Sequence, residues 1–433
     1  MEKENVPPYE VRITPDHTDG LYAAGEKALF RIEYFRNGKP CPGQKLEAFF
    51  HHLDYPKRRK NLVPFLSSRK AKTLSVELEE PGSTVLEVYP LGKTGRPLRR
   101  RNGAGRSQYV FFSCGVIASP EKCLPAMEEP SDFQRFWDEG KKELAKVPVK
   151  VLEKVPVELP EERKGKFLAW DMKVSCAGPR PVSGYLVMPS DVASGKRKAP
   201  VIVSYHGGGV RSAVLTFQEN AITFDVNAHG IPNGKETSFY RGLSQNELYD
   251  YIHRGVESRE TFYFRYMYLR VLRAQEFVRT LPEWNGKDLI LSGGSQGGGQ
   301  TLVGAGLDPY VTLAHAWVPA LCNLNHYDGK HSDSWPCPYY YCEKKGMDWN
   351  KVSECVRYFD AVNFARRIRC EIFLATGLLD GTCPPGNVFA AYNVIPSPKK
   401  TIYTYPDKGH LLASNPHFPA RLAEVLAHAA RRG

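Results

Sequence analysis

The sequence predicts an α/β fold, built on a doubly wound sheet and preceded by an all-β sandwich. Residues 9 to about 115 hold short runs of β-branched and aromatic residues separated by turn signals. The composition changes near Ser119, where prolines precede a helical pattern. Beyond that point, buried-strand patterns alternate with helical ones, as in doubly wound sheets. We therefore predict an accessory domain over residues 1–118 and a catalytic α/β domain over residues 119–433.

The first region contains about six predicted strands and no helical pattern. Turn signals such as Asp19-Gly20, Asn37-Gly38 and Pro81-Gly82 separate these strands. Short strands at this spacing are typical of an immunoglobulin-like β-sandwich. The region holds no acid/base constellation, so we predict an accessory or packing role for it.

The second region begins with a predicted helix, capped by Ser131, that buries Phe133, Phe136 and Trp137. An apolar stripe at steps of three and four predicts a further helix over Thr261–Leu281. Strands are predicted at 154–160, 167–175, 182–188, 201–209, 221–230, 289–291, 312–324 (with a loop), 370–377 and 401–405.

Charge and cysteine usage exclude some classes of function. The net charge is +12, with basic runs at residues 57–60 and 99–101. These runs fit either solvated loops or a surface for an anionic polymer. No nucleic-acid motif accompanies them, so an acidic polysaccharide is the preferred polymer and nucleic acid is not expected. The ten cysteines include no CxxC pair.

No metal or other cofactor is expected, because His331, Cys337, Cys342 and Cys355 are too irregularly spaced for a zinc site. No membrane partner is expected either, since nothing approaches a transmembrane span. The N-terminus has no apolar core typical of a signal peptide. The localisation stays open: cytoplasmic if Met1 is native, secreted or periplasmic if a leader was removed.

The stretch Leu289–Thr301 predicts a nucleophile. Apolar residues at the end of a strand run into Gly293-Gly294-Ser295-Gln296-Gly297, and a helical pattern follows. A strand, a tight Gly-x-Ser-x-Gly turn and a helix form a nucleophile elbow, which holds a serine hydroxyl exposed against a base. Upstream, a buried strand ends in His206-Gly207-Gly208-Gly209, whose backbone N–H groups are candidate oxyanion donors.

An acid and a histidine follow the serine in the order of α/β-hydrolases. Asp380 and His410 each come directly after a predicted strand. His410 would accept the proton of Ser295, and Asp380 would hold the imidazole in the correct tautomer. His417 is the rival base, and we prefer His410 because a strand and Gly409 precede it.

These residues make the α/β region similar to carbohydrate esterase family seven, the acetyl xylan esterase and cephalosporin C deacetylase family. The resemblance runs from about Pro130 to the C-terminus and includes the motifs DFQRFW, GYLVMP, YHGGG, GGSQGG, VPALCN, GLLDGTCPP and KGH. It implies that Ser295, Asp380 and His410 are the triad. It also implies that the N–H groups of Gln296 and Gly208 bind the oxyanion, with Gly208 standing where the family usually has an aromatic residue.

Two departures from the family bear on substrate binding and assembly. The family's Arg-Gly-Gln after Asp-Val is replaced here by Asn227-Ala228-His229, and its glutamate after the catalytic histidine is Leu411. The segment 231–259 is long, polar and aromatic, so we predict a loop that forms an active-site wall. His229, Tyr240 and Tyr251 are the predicted sugar contacts. The alternative is that these aromatics fill a contact in a homo-oligomer.

The sequence thus predicts a serine esterase that removes acetyl groups from an oligo- or polysaccharide through an acyl-enzyme. The first alternative is a serine peptidase of the prolyl oligopeptidase kind, although the β region is too short for a propeller. The second is a catalytically inert carbohydrate-binding protein. The sugar, the acetyl position and the oligomeric state stay open.

Overall fold

The computed structural model describes residues 9–54, 59–101, 103, 105–324, 333–411 and 415–430. Its N-terminal β region, residues 9–118, contains twelve strands within the described ranges. They are β1 (Tyr9–Pro15), β2 (Leu21–Tyr22), β3 (Lys27–Arg36), β4 (Lys39–Pro40), β5 (Lys45–His52), β6 (Arg59–Asn61), β7 (Phe65–Leu66), β8 (Lys72–Glu77), β9 (Gly82–Pro90), β10 (Arg99–Arg101), β11 (Ser107–Tyr109) and β12 (Phe112–Ala118).

Two sheets of this region share one apolar core. The first sheet has the order β1-β3-β4 with β8 paired to β3, and the second has the order β2-β12-β9-β5-β6 with β7 paired to β5. Alternate side chains of β3, β5, β9 and β12 point inward, because successive residues of a strand face opposite sides. The shared cluster includes Phe30, Ile32, Phe50, Leu86 and Val116. The domain boundary at residue 118 stays a prediction.

The α/β region is organised on a nine-stranded sheet. Its strands are β13 (Val151–Pro156), β14 (Phe167–Val174), β15 (Val182–Pro189), β16 (Ala199–Tyr205), β17 (Ile222–Asn227), β18 (Trp284–Gly294), β19 (Leu313–Trp317), β20 (Glu371–Gly377) and β21 (Lys400–Tyr405). Their order is β13-β14-β15-β17-β16-β18-β19-β20-β21, antiparallel up to β17 and parallel from there on. The predicted α/β class is confirmed.

Helices cover both faces of this sheet. They are α1 (Phe133–Ala145), α2 (Ser190–Ala193), α3 (Thr237–Gln245), α4 (Phe264–Arg279), α5 (Gln296–Leu307), α6 (Pro338–Lys345), α7 (Trp349–Val356), α8 (Ala361–Ala365), α9 (Pro385–Val394) and α10 (Phe418–Ala430). Helix α1 buries Phe133, Phe136 and Trp137 as predicted. No helix of the described chain is long and apolar enough to cross a membrane.

The structure corrects the prediction of a loop over residues 231–259. This segment contains helix α3 and a series of hydrogen-bonded turns. Two of its aromatic residues point inward, since Tyr240 and Tyr251 are each only 7% exposed, whereas Phe239 and Tyr249 are exposed. The amphipathic part of the segment is short, because α3 has only nine residues and hydrogen-bonded turns make up most of the rest.

The N-terminal β region packs directly against two loops of the α/β region. The backbone N–H of Gly115 donates to the carbonyl oxygen of Pro406 at 2.7 Å, and the Thr404 hydroxyl donates to that of Asp19 at 2.6 Å. Ile117 forms one apolar cluster with Leu378. These contacts lie beside the ends of β20 and β21, where the candidate acid and base follow.

Candidate active site

Ser295 lies on a sharp turn between β18, which ends at Gly294, and α5, which begins at Gln296. Its φ is 56° and its ψ is −124°, a conformation that a non-glycine residue rarely adopts and that costs conformational energy. The flanking glycines allow close backbone approach. A Cβ at residue 297 would lie 2.0 Å from the carbonyl oxygen of Tyr205. The predicted Gly-x-Ser-x-Gly turn therefore has the geometry of a nucleophile elbow.

His410 connects Ser295 to Asp380. Its Nε2 lies 2.9 Å from the Ser295 Oγ, and its Nδ1 lies 2.9 Å from the Asp380 Oδ2. The other carboxylate oxygen of Asp380 accepts from the N–H groups of Thr382 and Cys383 at 2.8 and 2.9 Å. Asp380 is fully buried and holds the imidazole proton on Nδ1, which leaves the Nε2 lone pair for the serine hydroxyl.

The rival base His417 lies elsewhere. Its side chain is exposed, and its ring packs edge-on against Tyr403 with centroids 5.7 Å apart. Of the two histidines compared in the sequence, the fold therefore brings His410, and not His417, to Ser295.

Two backbone N–H groups near Ser295 are available to an oxyanion. In the described chain, the N–H groups of Gln296 and Gly208 donate to no protein acceptor. Gln296 is the first residue of α5, so its N–H is one of those that a helix leaves unpaired, and the helix dipole favours negative charge there. The glycine loop reaches the elbow, since a Cβ at residue 207 would lie 3.5 Å from the Ser295 Cβ.

Tyr251 ties the glycine loop to the elbow. Its hydroxyl donates to the Gln296 Oε1 at 2.6 Å and accepts from the Gly209 N–H at 3.1 Å. Burial raises the pKa of Tyr251 to about 12, so the hydroxyl stays protonated and able to donate. The sequence predicts a sugar contact for this residue. The structure instead gives its hydroxyl two protein partners beside the candidate oxyanion donors.

His229 and Tyr240 do not reach the cavity in front of Ser295, contrary to the prediction that they contact sugar. His229 is fully buried, with Nδ1 at 2.8 Å from the Tyr263 hydroxyl and Nε2 at 3.2 Å from the Gly209 carbonyl oxygen. Burial holds its pKa well below the usual range, so the ring is neutral. The Tyr240 hydroxyl donates to the Pro232 carbonyl at 3.0 Å. Both side chains organise the loops behind the site.

Residues that the sequence analysis missed line the site. The cavity in front of Ser295 has a volume of about 430 Å³, and its lining includes His410, Trp317, Arg211 and Asp225. Burial raises the pKa of Asp225 to about 6. No sequence motif marks Arg211 or Trp317. They reach the cavity only because β16, β17, β18 and β19 are neighbours in the sheet.

Trp335 fills the space beside the candidate oxyanion donor. A Cβ at Gly208 would lie 3.2 Å from the Trp335 ring, so an aromatic side chain from another segment occupies the place beside this glycine. The backbone N–H of Trp335 donates to the Thr382 carbonyl at 3.0 Å, and the backbone carbonyl of Trp335 accepts from the Leu321 N–H at 3.1 Å. The tryptophan is thus fixed to the loop that carries Asp380.

Among the described residues, the one group with three metal-ligand side chains is Asp380, Cys383 and His410. Both ring nitrogens of His410 are already hydrogen-bonded within the triad, which leaves none for a metal. Of the irregular zinc set considered in the sequence, His331 lies outside the described residues.

Comparison with known proteins gives a family match and similar relatives. The family model described as acetyl xylan esterase (AXE1) matches residues 121–426. Acetyl esterase Axe7A of Xylanibacter ruminicola is 28% identical over 417 residues, which span 94% of this chain and 88% of that protein. This alignment therefore extends into the N-terminal β region.

Two solved structures are similar to this chain over about seven tenths of its length. The acetyl xylan esterase from Paenibacillus sp. R4 is 25% identical with a TM-score of 0.57, and the match covers 71% of this chain and 98% of that one. Acetyl xylan esterase 1 from Thermoanaerobacterium sp. JW/SL YS485 is 22% identical with a TM-score of 0.58, covering 72% and 97%. Nearly the whole of each of those chains is matched, while more than a quarter of this chain lies outside the match.

Proposed function

The chain belongs to the acetyl xylan esterase family and is a carboxylic ester hydrolase that acts on acetyl esters. On this premise, we propose that it removes acetyl groups from carbohydrate. In this proposal Ser295 is the nucleophile, His410 is the base, and Asp380 orients His410. One observation carries this proposal. The serine, imidazole and carboxylate form a continuous chain of two 2.9 Å hydrogen bonds on an elbow with two unpaired N–H groups.

In the first half-reaction, the Ser295 Oγ attacks the acetyl carbonyl carbon while its proton moves to the His410 Nε2. The carbonyl oxygen becomes an oxyanion, which accepts hydrogen bonds from the N–H groups of Gln296 and Gly208. Asp380 stabilises the imidazolium without taking its proton. The C–O bond to the sugar then breaks, the sugar oxygen takes the proton from His410, and an acetyl-serine remains.

In the second half-reaction, water gives a proton to the His410 Nε2 and its oxygen attacks the acetyl-serine. The tetrahedral intermediate collapses to acetate, and Ser295 recovers its proton from His410. The same two N–H groups stabilise both intermediates, because the carbonyl carbon keeps its position when the attacking group changes. No step requires a metal.

The carbohydrate class of the substrate is supported by the relatives. Both solved structures carry the name acetyl xylan esterase, and the curated relative is an acetyl esterase. The site is compatible with a small acyl group, since Trp335 occupies the space next to Gly208. An acetylated xylo-oligosaccharide is therefore the substrate we propose to test.

The test measures acetate released from acetylated xylo-oligosaccharides, with an aryl acetate and a dipeptide amide beside them. We expect acetate release from both esters and no cleavage of the amide. The Ser295→Ala variant is the blank for non-enzymatic hydrolysis. Amide cleavage faster than sugar deacetylation would reject the esterase proposal in favour of a peptidase. Hydrolysis of the aryl acetate alone would reject the carbohydrate substrate.

A further inference from the structure

Four aromatic side chains lie next to one another where the second N-terminal sheet meets the small two-stranded sheet of β10 and β11. Phe49 belongs to β5, Tyr89 to β9 and Tyr109 to β11, and Phe111 directly precedes β12. The ring centroids of Phe49 and Tyr89 are 5.7 Å apart, and those of Tyr89 and Phe111 are 5.5 Å apart. The interplanar angles of these pairs are 19° and 22°, so the rings are nearly parallel. We call these four residues the aromatic row.

One end of the aromatic row is fixed and the other is open. Phe49 is only 9% exposed, and the Tyr89 hydroxyl donates to the Glu87 carboxylate at 2.5 Å. By contrast, Tyr109 and Phe111 are 49% and 50% exposed. The open end therefore presents two neighbouring, half-exposed aromatic rings to solvent.

Arginines flank the aromatic row. The Arg59 guanidinium lies 3.5 Å from the centroid of the Phe49 ring, and that of Arg99 lies 4.5 Å from the centroid of the Tyr109 ring. All three residues of strand β10, Arg99–Arg101, are exposed. In the described part of the chain, no carboxylate lies within ion-pair distance of Arg59 or of the β10 arginines, although Arg59 interacts electrostatically with the Glu87 carboxylate. Lys57 and Arg58 of the same basic run lie outside the described residues.

The aromatic row lies on the sheet face that packs against the α/β region. Glu87 and Tyr89 point away from the N-terminal core, and so does Val85, two residues before Glu87. Gly115, the cross-strand partner of Val85, packs on Leu378 of the α/β region. At about 3.3 Å per residue, Tyr89 is about 13 Å along the strand from Val85. The open surface therefore continues directly from an interface between the two regions.

We propose that the aromatic row and its arginines bind a carbohydrate chain that carries carboxylate groups. The apolar C–H faces of pyranose rings stack on aromatic rings, and guanidinium groups pair with uronate carboxylates. The choice of carbohydrate as occupant rests on the proposed function. Binding a polymer on the face that adjoins the α/β region raises the concentration of its acetyl groups near Ser295.

The experiment is affinity gel electrophoresis of the full chain in gels that contain a uronate-bearing, non-acetylated xylan. We expect this polymer to retard the wild type. We expect the double variant Tyr109→Ala/Phe111→Ala to bind about tenfold more weakly, with unchanged turnover of an aryl acetate. The matched control is Tyr310→Ala, because Tyr310 is also exposed and also contacts an arginine, Arg279, at 4.2 Å. It should bind like the wild type.

A second arm separates charge from stacking. With a carboxyl-reduced, neutral form of the same xylan, we expect weaker binding that still depends on Tyr109 and Phe111 and no longer responds to Arg99→Gln. Unchanged binding by the double variant, or an equal loss in Tyr310→Ala, would overturn the proposal. Equally tight binding of duplex DNA would assign the surface to polyanions in general. A shift of the double variant to a smaller species in size-exclusion chromatography would assign it to self-association.

These outcomes are independent of the esterase proposal. The xylan in the gel carries no acetyl groups, so retardation does not depend on catalysis. An absence of acetate release from acetylated oligosaccharides with retardation intact would reject the proposed function alone. Acetate release without retardation would reject the binding surface alone.

Discussion

Ser295 and its proposed catalytic partners, Asp380 and His410, are supported by different parts of the chain. The serine turn is held within the large sheet: its N–H donates to the Trp317 carbonyl at 3.0 Å, and Gly297 packs against Tyr205. These partners come from strands next to β18. The loops of Asp380 and His410 also bind each other, because the Leu379 N–H donates to the Lys408 carbonyl at 2.9 Å.

The loops that carry Asp380 and His410 also contact the N-terminal β region. The contacts that support the serine turn come instead from the large sheet. Gly115 packs directly on Leu378, two residues before Asp380, and donates to Pro406, four residues before His410. We therefore expect the N-terminal β region to affect the positions of Asp380 and His410 more than that of Ser295.

Removing the proposed nucleophile tests the serine turn, which is held within the large sheet. Ser295→Ala should lower the turnover of an acetyl ester by about 10⁴- to 10⁶-fold, since no other group can form the acyl-enzyme. The thermal unfolding temperature should be nearly unchanged or slightly higher, because replacing serine by alanine removes one hydroxyl and leaves the surrounding packing in place. The measurement is acetate release at saturating substrate. A variant that keeps a tenth of the wild-type rate would show that another residue is the nucleophile.

Removing the proposed base tests the loops of Asp380 and His410, which contact the N-terminal β region. His410→Ala should reduce turnover by a similar factor, about 10⁴-fold or more, with the fold intact by circular dichroism. His417→Ala is the matched control and should keep wild-type turnover, because its ring contacts only Tyr403 among the aromatic side chains described. Equal activities of the two variants would contradict the assignment of the base.

Gly115→Ala tests the contact between the two regions directly. A Cβ at residue 115 would lie 2.2 Å from the Leu378 carbonyl oxygen, so the backbone before Asp380 must shift. We expect turnover to fall about tenfold or more, and the free energy of unfolding to fall by about 1–3 kcal/mol. The control Gly381→Ala lies on the same loop, where a Cβ meets nothing within 4 Å. Wild-type turnover in a destabilised Gly115→Ala protein would limit the β region to a packing role.

Tyr251→Phe tests the oxyanion side. It removes the hydroxyl that bridges the Gly209 N–H and the Gln296 Oε1, leaving a buried amide oxygen unsatisfied at a cost of about 1–3 kcal/mol. We expect turnover to fall about tenfold for both aryl acetate and oligosaccharide. Tyr240→Phe is the control. A loss confined to KM for the oligosaccharide would instead restore the sugar contact that the sequence analysis predicted for Tyr251.

The smallest effect on activity is expected at Asp225, where pH dependence gives the readout. Burial raises the pKa of Asp225 in the folded protein to about 6, above its ordinary value of 3.8, so the folded protein binds the proton more tightly than the unfolded chain. This group therefore stabilises the fold below about pH 4, and that contribution is lost as pH rises towards 6. Asp225→Asn should raise the free energy of unfolding at pH 8 by about 3 kcal/mol and change it little at pH 4. An equal change at both pH values would contradict the assignment.

The site could be predicted in part because its chemistry follows local rules. Gly-x-Ser-x-Gly between a strand and a helix determines the turn of Ser295 within a few residues. The ends of parallel strands place Asp380 and His410 on the same edge of the sheet, so chain order and spacing were enough to select them. Helix α4 could also be predicted from a local pattern, because apolar residues recur at steps of three and four along its sixteen residues.

The sequence by itself determined the α/β class, the elbow and the candidate triad, because each depends on short-range patterns. Only the tertiary structure decided what Tyr251, His229 and Tyr240 contact. An aromatic residue suits a protein core and a sugar-binding wall equally well, and the choice depends on which segments pack around it. The same holds for Trp335 beside Gly208 and for Gly115 beside Leu378. These contacts join residues distant in the chain, and no local pattern records them.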